Sequence, residues 1–161
     1  MKSELGKEIA RKRVEAAEFA KLKAAEKAME QDAYESIRYG VSYLNSAKSA
    51  FSKDERRFDN DLLYNIISIS FEQFMVGLLA HHDYIASSHL PLMLYREALD
   101  FEPELGEGIK RTAILIGSFE GICSIDDFGY KTPTDDEIRL MVDGLGEVER
   151  FISKIISETN S

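Results

Sequence analysis

The sequence predicts an all-α protein: an antiparallel up-and-down helical bundle of four to five helices that carries a long charged amino-terminal helix. Three observations predict it. Apolar residues recur at three- and four-residue spacing along nearly all of the 161 residues. Only 3 prolines and 10 glycines interrupt them. No segment alternates apolar and polar residues between turn signals, as a half-buried strand would. With 44% hydrophobic residues, a chain of this length can fill one core without a metal or a disulfide.

Residues 1–32 read as a charged helical arm. From Ser3 to Gln31 the chain is dominated by Ala, Lys, Glu and Arg, all strong helix formers, which gives a helix on the order of 40 Å long. Its apolar stripe is thin. Leu5, Ile9, Ala16, Phe19 and Leu22 are its anchors, joined by Ala20, Ala24, Ala28 and Met29, and no gapless heptad connects them. Such a helix is either a solvated extension or one that docks Ile9, Ala16 and Phe19 on a second subunit, because an isolated helix is marginal in water.

The arm and the bundle are expected to divide near Asp32. A helix over Ala33 to Phe51 places Ile37, Val41, Leu44, Lys48 and Phe51 on one face, with Tyr34 and Ala47 at its edges. The charged run SKDERRFDND breaks the pattern. Leu62 to Ile85 follows as the core helix, with Leu63, Ile66, Ile67, Phe71, Phe74, Met75, Leu78 and Leu79 inward. Ser87-Ser88 reads as the cap of a short helix through Leu99, with Pro91 in its first turn. After FEPELGEG, Ile109 to Ile125 carries Ala113, Ile116, Phe119 and Cys123 at helical spacing. Thr134 with Glu137 three residues on is a capping box for the last helix, whose inner face is Ile138, Met141, Val142, Leu145, Val148, Ile152 and Ile155.

Charge is unevenly divided. Residues 1–32 hold eight Lys/Arg against seven Asp/Glu, and the remainder twelve against twenty-two, so the bundle is strongly acidic within a net charge of −9. An acidic surface repels phosphate backbones, which disfavours nucleic acid as a partner. The single cysteine, Cys123, cannot form an internal disulfide and suits a reducing compartment, so the expected location is cytoplasmic. The first residues mix acids and bases and lack the apolar core of a signal peptide. Leu62 to Leu79, interrupted by Asn65, Glu72 and Gln73, is expected to be too short and too polar to span a membrane.

Chemistry-bearing residues are sparse. No Glu-x-x-His pair and no second ligand at metal spacing accompanies His81, His82 or His89, so no metal and no cofactor is expected. His82 falls near the inner stripe and reads as a half-buried, hydrogen-bonded histidine, with His81 more exposed and His89 bonding across the loop. No strained nucleophile turn of the G-x-S-x-G kind is present, so no catalytic residue is assigned. Arg11-Lys12-Arg13 and Arg56-Arg57 are flanked by acids. Asp135 and Asp136 belong to the first turn of a helix, where negative charge is favoured, which leaves Asp126 and Asp127 unexplained.

From Tyr34 onward the order of features is that of a known family. A helix ending near Ala47-Lys48 precedes the long FEQFMVGLLAHHDY, then the short SHLPLML. The chain closes on ICSIDDFGYKTPTDDEIRLMVDGLGEVERFI, a loop followed by a capped helix. In this order residues 33–157 resemble a HEPN domain, the helical "higher eukaryotes and prokaryotes nucleotide-binding" fold. The resemblance implies a homodimer, and either ribonuclease or nucleotide-binding activity, partnership with a nucleotidyltransferase-type protein, or a non-catalytic dimeric module. Ribonuclease members carry an Arg followed four to six residues later by His. None of Arg38, Arg56, Arg57, Arg96 or Arg111 has a His at that distance. The family's closing Arg-Tyr-Pro is replaced by Gly129-Tyr130-Lys131, which removes a guanidinium able to grip phosphate.

The chain is therefore read as a degenerate, non-enzymatic HEPN-like protein acting by association as a homodimer, with a nucleotidyltransferase-type protein as a further partner. One rival is a nucleotide-binding or RNA-processing enzyme whose site would gather His82, His89, Asp126, Asp127, Tyr130 and Lys131. Another is a generic helical adaptor unrelated to HEPN.

Overall fold

Nothing between Lys7 and Tyr39 stops a helix: the stretch holds neither proline nor glycine. In the computed structural model, which describes residues 3–53, 58–120, 125–126 and 129–160 (the backbone alone at 125–126 and 129–130), helix α1 runs unbroken over Glu4–Phe51. Its 48 residues extend about 70 Å. Ser3 caps it by accepting the Gly6 N–H at 3.2 Å. The division expected near Asp32 is thus not a helix end. It is where α1 leaves the bundle, Ala33 being its first buried residue.

Four more helices are described: α2 (Asn60–His81), α3 (Pro91–Phe101), α4 (Glu107–Gly117) and α5 (Asp135–Thr159). Two-residue strands β1 (Ile125–Asp126) and β2 (Gly129–Tyr130) pair antiparallel before α5. This pairing falls where a helix was expected to continue to Ile125; α4 instead stops at Gly117.

Side-chain ties fix the directions. The Ser70 hydroxyl donates to the Gly40 carbonyl at 2.7 Å, and Gly77 lies against Ala33 and Ile37, so α1 and α2 are antiparallel. Thr112 packs on Gly144, and Gly108 lies beside Glu147, so α4 and α5 are antiparallel. Asn60 donates to the Pro133 carbonyl and to Asp135, both at 2.9 Å, joining the starts of α2 and α5. His81 meets Thr159 at their far ends. The result is an up-down-up-down bundle of α1, α2, α4 and α5, with α3 as a short connector.

Helix α2 is the core. Leu63, Ile67, Phe71, Phe74, Met75, Leu78 and Leu79 are buried on it, against Leu94, Ile116, Ile138, Met141 and Leu145 from the other helices. Each such side chain contributes about 1.5–3 kcal/mol through burial. By length and mean hydropathy α2 could cross a membrane, contrary to the expectation from its polar residues. In the fold 56% of its most apolar window is buried inside the protein, as for a core helix. On α1 the buried stripe is Ala33, Gly40, Leu44 and Ala47; Lys48, expected inward, is exposed, and Ala47 takes the inner place.

Helix ends explain the other departures. Helix α2 stops at His81, short of the expected Ile85, because Asp83 adopts a left-handed φ of 57°. Asp83 N–H then donates to the Ala80 carbonyl at 2.9 Å and Tyr84 N–H to the Leu79 carbonyl at 3.0 Å, the Schellman pattern that satisfies terminal carbonyls. The cap of α3 is Leu90; Ser88 only accepts the Leu90 N–H, at 3.1 Å. At α5 both halves of the Thr134–Glu137 capping box form.

Glycine permits the close approach of α1 to α2. A Cβ at Gly77 would stand 2.6 Å from Ile37 Cγ1 and 3.0 Å from the Ala33 carbonyl, and one at Gly40 would stand 2.8 Å from the Phe74 ring. Gly77→Ala therefore forces α1 off α2 and is expected to cost about 1–3 kcal/mol. Gly117→Ala, with nothing within 4 Å of the new Cβ, is the matched control and should leave the urea midpoint unchanged or raised. Equal effects of the two would show that the contact does not matter.

Candidate functional site

The residues singled out from sequence lie outside α2 and are set against different parts of its length. His82 closes its carboxyl end, where Nε2 is 2.8 Å from Glu102 Oε1 and the ring stacks on Phe101 with centroids 5.1 Å apart. Tyr84 tilts onto the same Phe101 at 5.2 Å. His89 is exposed and pairs through Nδ1 with Glu72 Oε1 at 2.7 Å, near mid-helix. Lys131 is near the amino end: its Nζ lies 5.0 Å from the centre of the Phe119 ring, and the adjacent Thr132 reaches Asp61 at 3.4 Å. The length of α2 holds the His82 end and the Lys131 end roughly 30 Å apart, so these two do not share a site.

Asp126 and Tyr130 stand in β1 and β2, where Ile125 pairs with Tyr130 and Asp126 with Gly129; only their backbone is described. Asp127 lies outside the described residues, as do Cys123, Arg56 and Arg57. Among the described residues, no three His, Cys, Asp or Glu side chains gather as a metal-binding group.

A polar cluster invisible to sequence reading lies beside Lys131. The Tyr64 hydroxyl donates to the Ile116 carbonyl at 2.9 Å, and the Ser68 hydroxyl to Glu120 Oε1 at 2.6 Å. Tyr64 also tilts onto Phe119, at 5.7 Å. Burial above all, then the Glu120 charge, pushes the Tyr64 phenol well above its usual value of 10.0. The partners are 52 residues apart in sequence, so no local pattern could reveal them. Each hydroxyl proton is already engaged, and the cluster ties α2 to the end of α4. Among the described residues, no buried side-chain nitrogen or oxygen lacks a partner.

The largest unpartnered feature is the arm. Lys7–Glu4, Arg11–Glu8, Arg11–Glu15 and Lys12–Glu8 pair at 3.1, 2.8, 3.3 and 3.8 Å, all three or four residues apart. Such pairs add a few tenths of a kcal/mol each to an isolated helix. They leave Leu5, Val14, Phe19 and Leu22 between 58% and 69% exposed. Val14 lies off the stripe named from sequence.

The Tyr64 environment has a pH signature. The unfolded phenol releases its proton near pH 10, while the folded one holds it, so this group's stabilisation is complete below that pH and is lost as pH rises further. Tyr64→Phe should lose about 1 kcal/mol at neutral pH, for the missing bond to Ile116, and show a shallower decline above pH 10. Tyr95, also raised by burial, keeps part of the slope. Urea titrations across that range test this; an unchanged alkaline limb in the variant would contradict it. No family model, curated protein or solved structure matches this chain.

Proposed function

We propose that the protein is a non-enzymatic, HEPN-like helical scaffold that acts by association, as a homodimer, with its projecting α1 arm as the docking element. One observation carries the reading. A helix that leaves the bundle still presents Leu5, Ile9, Phe19 and Leu22, each between 45% and 69% exposed. A helix meant only for solvent has no use for large apolar side chains, and it gains stability when they are covered.

Two further features support it. His82 pairs with Glu102, His89 with Glu72 and His81 with Thr159, and of the residues an enzyme site would gather, His82 and Lys131 stand at opposite ends of α2. The order of a long core helix, a short His-and-Leu segment and a capped last helix agrees with the HEPN-like part of the proposal. A nucleotidyltransferase-type protein is the further partner that this resemblance suggests.

Light scattering on the full chain and on a version lacking residues 1–30 tests the proposal. The full chain should weigh twice 18.2 kDa at micromolar concentration, and the shortened one should approach its monomer mass. A monomeric full chain would refute the homodimer. A shortened chain that stays dimeric would move the interface to the bundle and deny the arm its role.

A further inference from the structure

We propose that the arm of one copy lies antiparallel along α1 of a second copy, seating Phe19 and Leu22 in a groove beside the carboxyl end of the partner's α2. This rests on the association reading and adds the partner, the place and the direction.

The groove lies between α1 and the turn after α2, with a volume of about 440 Å³. Its apolar walls are Met29 and Tyr39 of α1, Val76 and Ala80 of α2, and Tyr84 and Ile85 of the turn. Ile85 is 81% exposed and Tyr39 48%, so this surface lacks a cover. Asp32 and Glu35 also line it, and none of its lining residues is Lys or Arg.

Charge selects the occupant. Two such grooves facing one another would set carboxylates against carboxylates. The arm is the more basic surface: over residues 18–27 Lys21, Lys23 and Lys27 stand against Glu18 and Glu26, Lys23 Nζ lies 5.6 Å from the centre of the Phe19 ring, and none of the three lysines forms an ion pair among the described residues. Lys7, Arg11 and Lys12, farther out, are already paired. The arm cannot fill its own groove. Because α1 is unbroken through residue 32, Phe19 is carried about 15 Å beyond Met29 along the helix axis.

The spacing on α1 supplies the rest. Leu22, Met29, Ser36 and Tyr43 recur every seven residues, with Ala25 and Tyr39 three residues after a member of that series. This second stripe drifts slowly around the helix beside the buried one, as a seam for a neighbouring helix does. It runs from the arm into the groove without a break in the helix. A twofold pairing of identical helices must bring arm to groove twice, so the helices run antiparallel with the axis close to Met29.

Single cysteines in an otherwise full-length Cys123→Ser chain, joined by a short bismaleimide, test the arrangement, with helix content checked by circular dichroism. Met29→Cys should crosslink to itself. Lys12→Cys should not, since its two copies would be on the order of 50 Å apart, but it should crosslink when mixed with Ser46→Cys. Self-crosslinking of Lys12→Cys would show parallel arms and overturn the inference while leaving association intact. A dimer by light scattering in which neither Met29→Cys nor the mixture crosslinks would overturn it also, by placing the interface elsewhere. A monomer would remove both the inference and the reading beneath it.

Discussion

The close approach of α1 to α2 at Gly40 and Gly77 is the contact on which the rest of the molecule depends. Ala33 and Gly40 on one helix meet Gly77 and Ser70 on the other, and the Ser70 hydroxyl fills the gap by donating to the Gly40 carbonyl at 2.7 Å. Only small residues let two helix backbones come this near. Helix α2 is surrounded by α1, α3, α4 and α5, so whatever is pinned to it is pinned to the whole core. Only the carboxyl-terminal part of α1 is held in this way. Since the helix does not break, the remainder is aimed outward in a direction set by the packing at those glycines.

The polar groups of the bundle serve the same architecture. His82 joins the end of α2 to the end of α3 through Glu102 and Phe101, Asn60 joins the start of α2 to the start of α5, and Tyr64, Ser68 and Glu120 hold α2 to the end of α4. Each of these residue types is familiar in catalysis. Here their donors and acceptors are turned to one another across helix ends, where unpaired groups would otherwise be costly. Chemistry at a site needs groups that face a substrate, whereas the arm faces outward with Leu5, Val14, Phe19 and Leu22 exposed among its charges.

The helical stripes of the core were readable from sequence because burial on a helix repeats locally: Phe71, Phe74, Met75 and Leu78, or Ile138, Met141, Val142 and Leu145, announce themselves within two turns. The capping box at Thr134 was equally local. The continuity of α1 was missed because a change in composition near Asp32 resembles a boundary, although no residue there ends a helix. The end of α2 was missed because the left-handed position is filled by Asp83, where glycine would have been the usual sign. Placement of the six candidate site residues was beyond local pattern. Whether His82 and Lys131 meet is decided by the length of α2 and by contacts such as Asn60 with Pro133, 73 residues apart.

The central claim, that a rigid α1 carries the arm away from the core, is tested most directly by the distance between nitroxide labels on exposed Lys12 and Ser42 of one chain, measured by pulsed electron resonance after dilution with unlabelled protein. An unbroken helix between them predicts a narrow distribution centred at about 45 Å. A broad distribution, or one centred well below that distance, would mean that the helix bends or ends between arm and bundle, and would contradict the account.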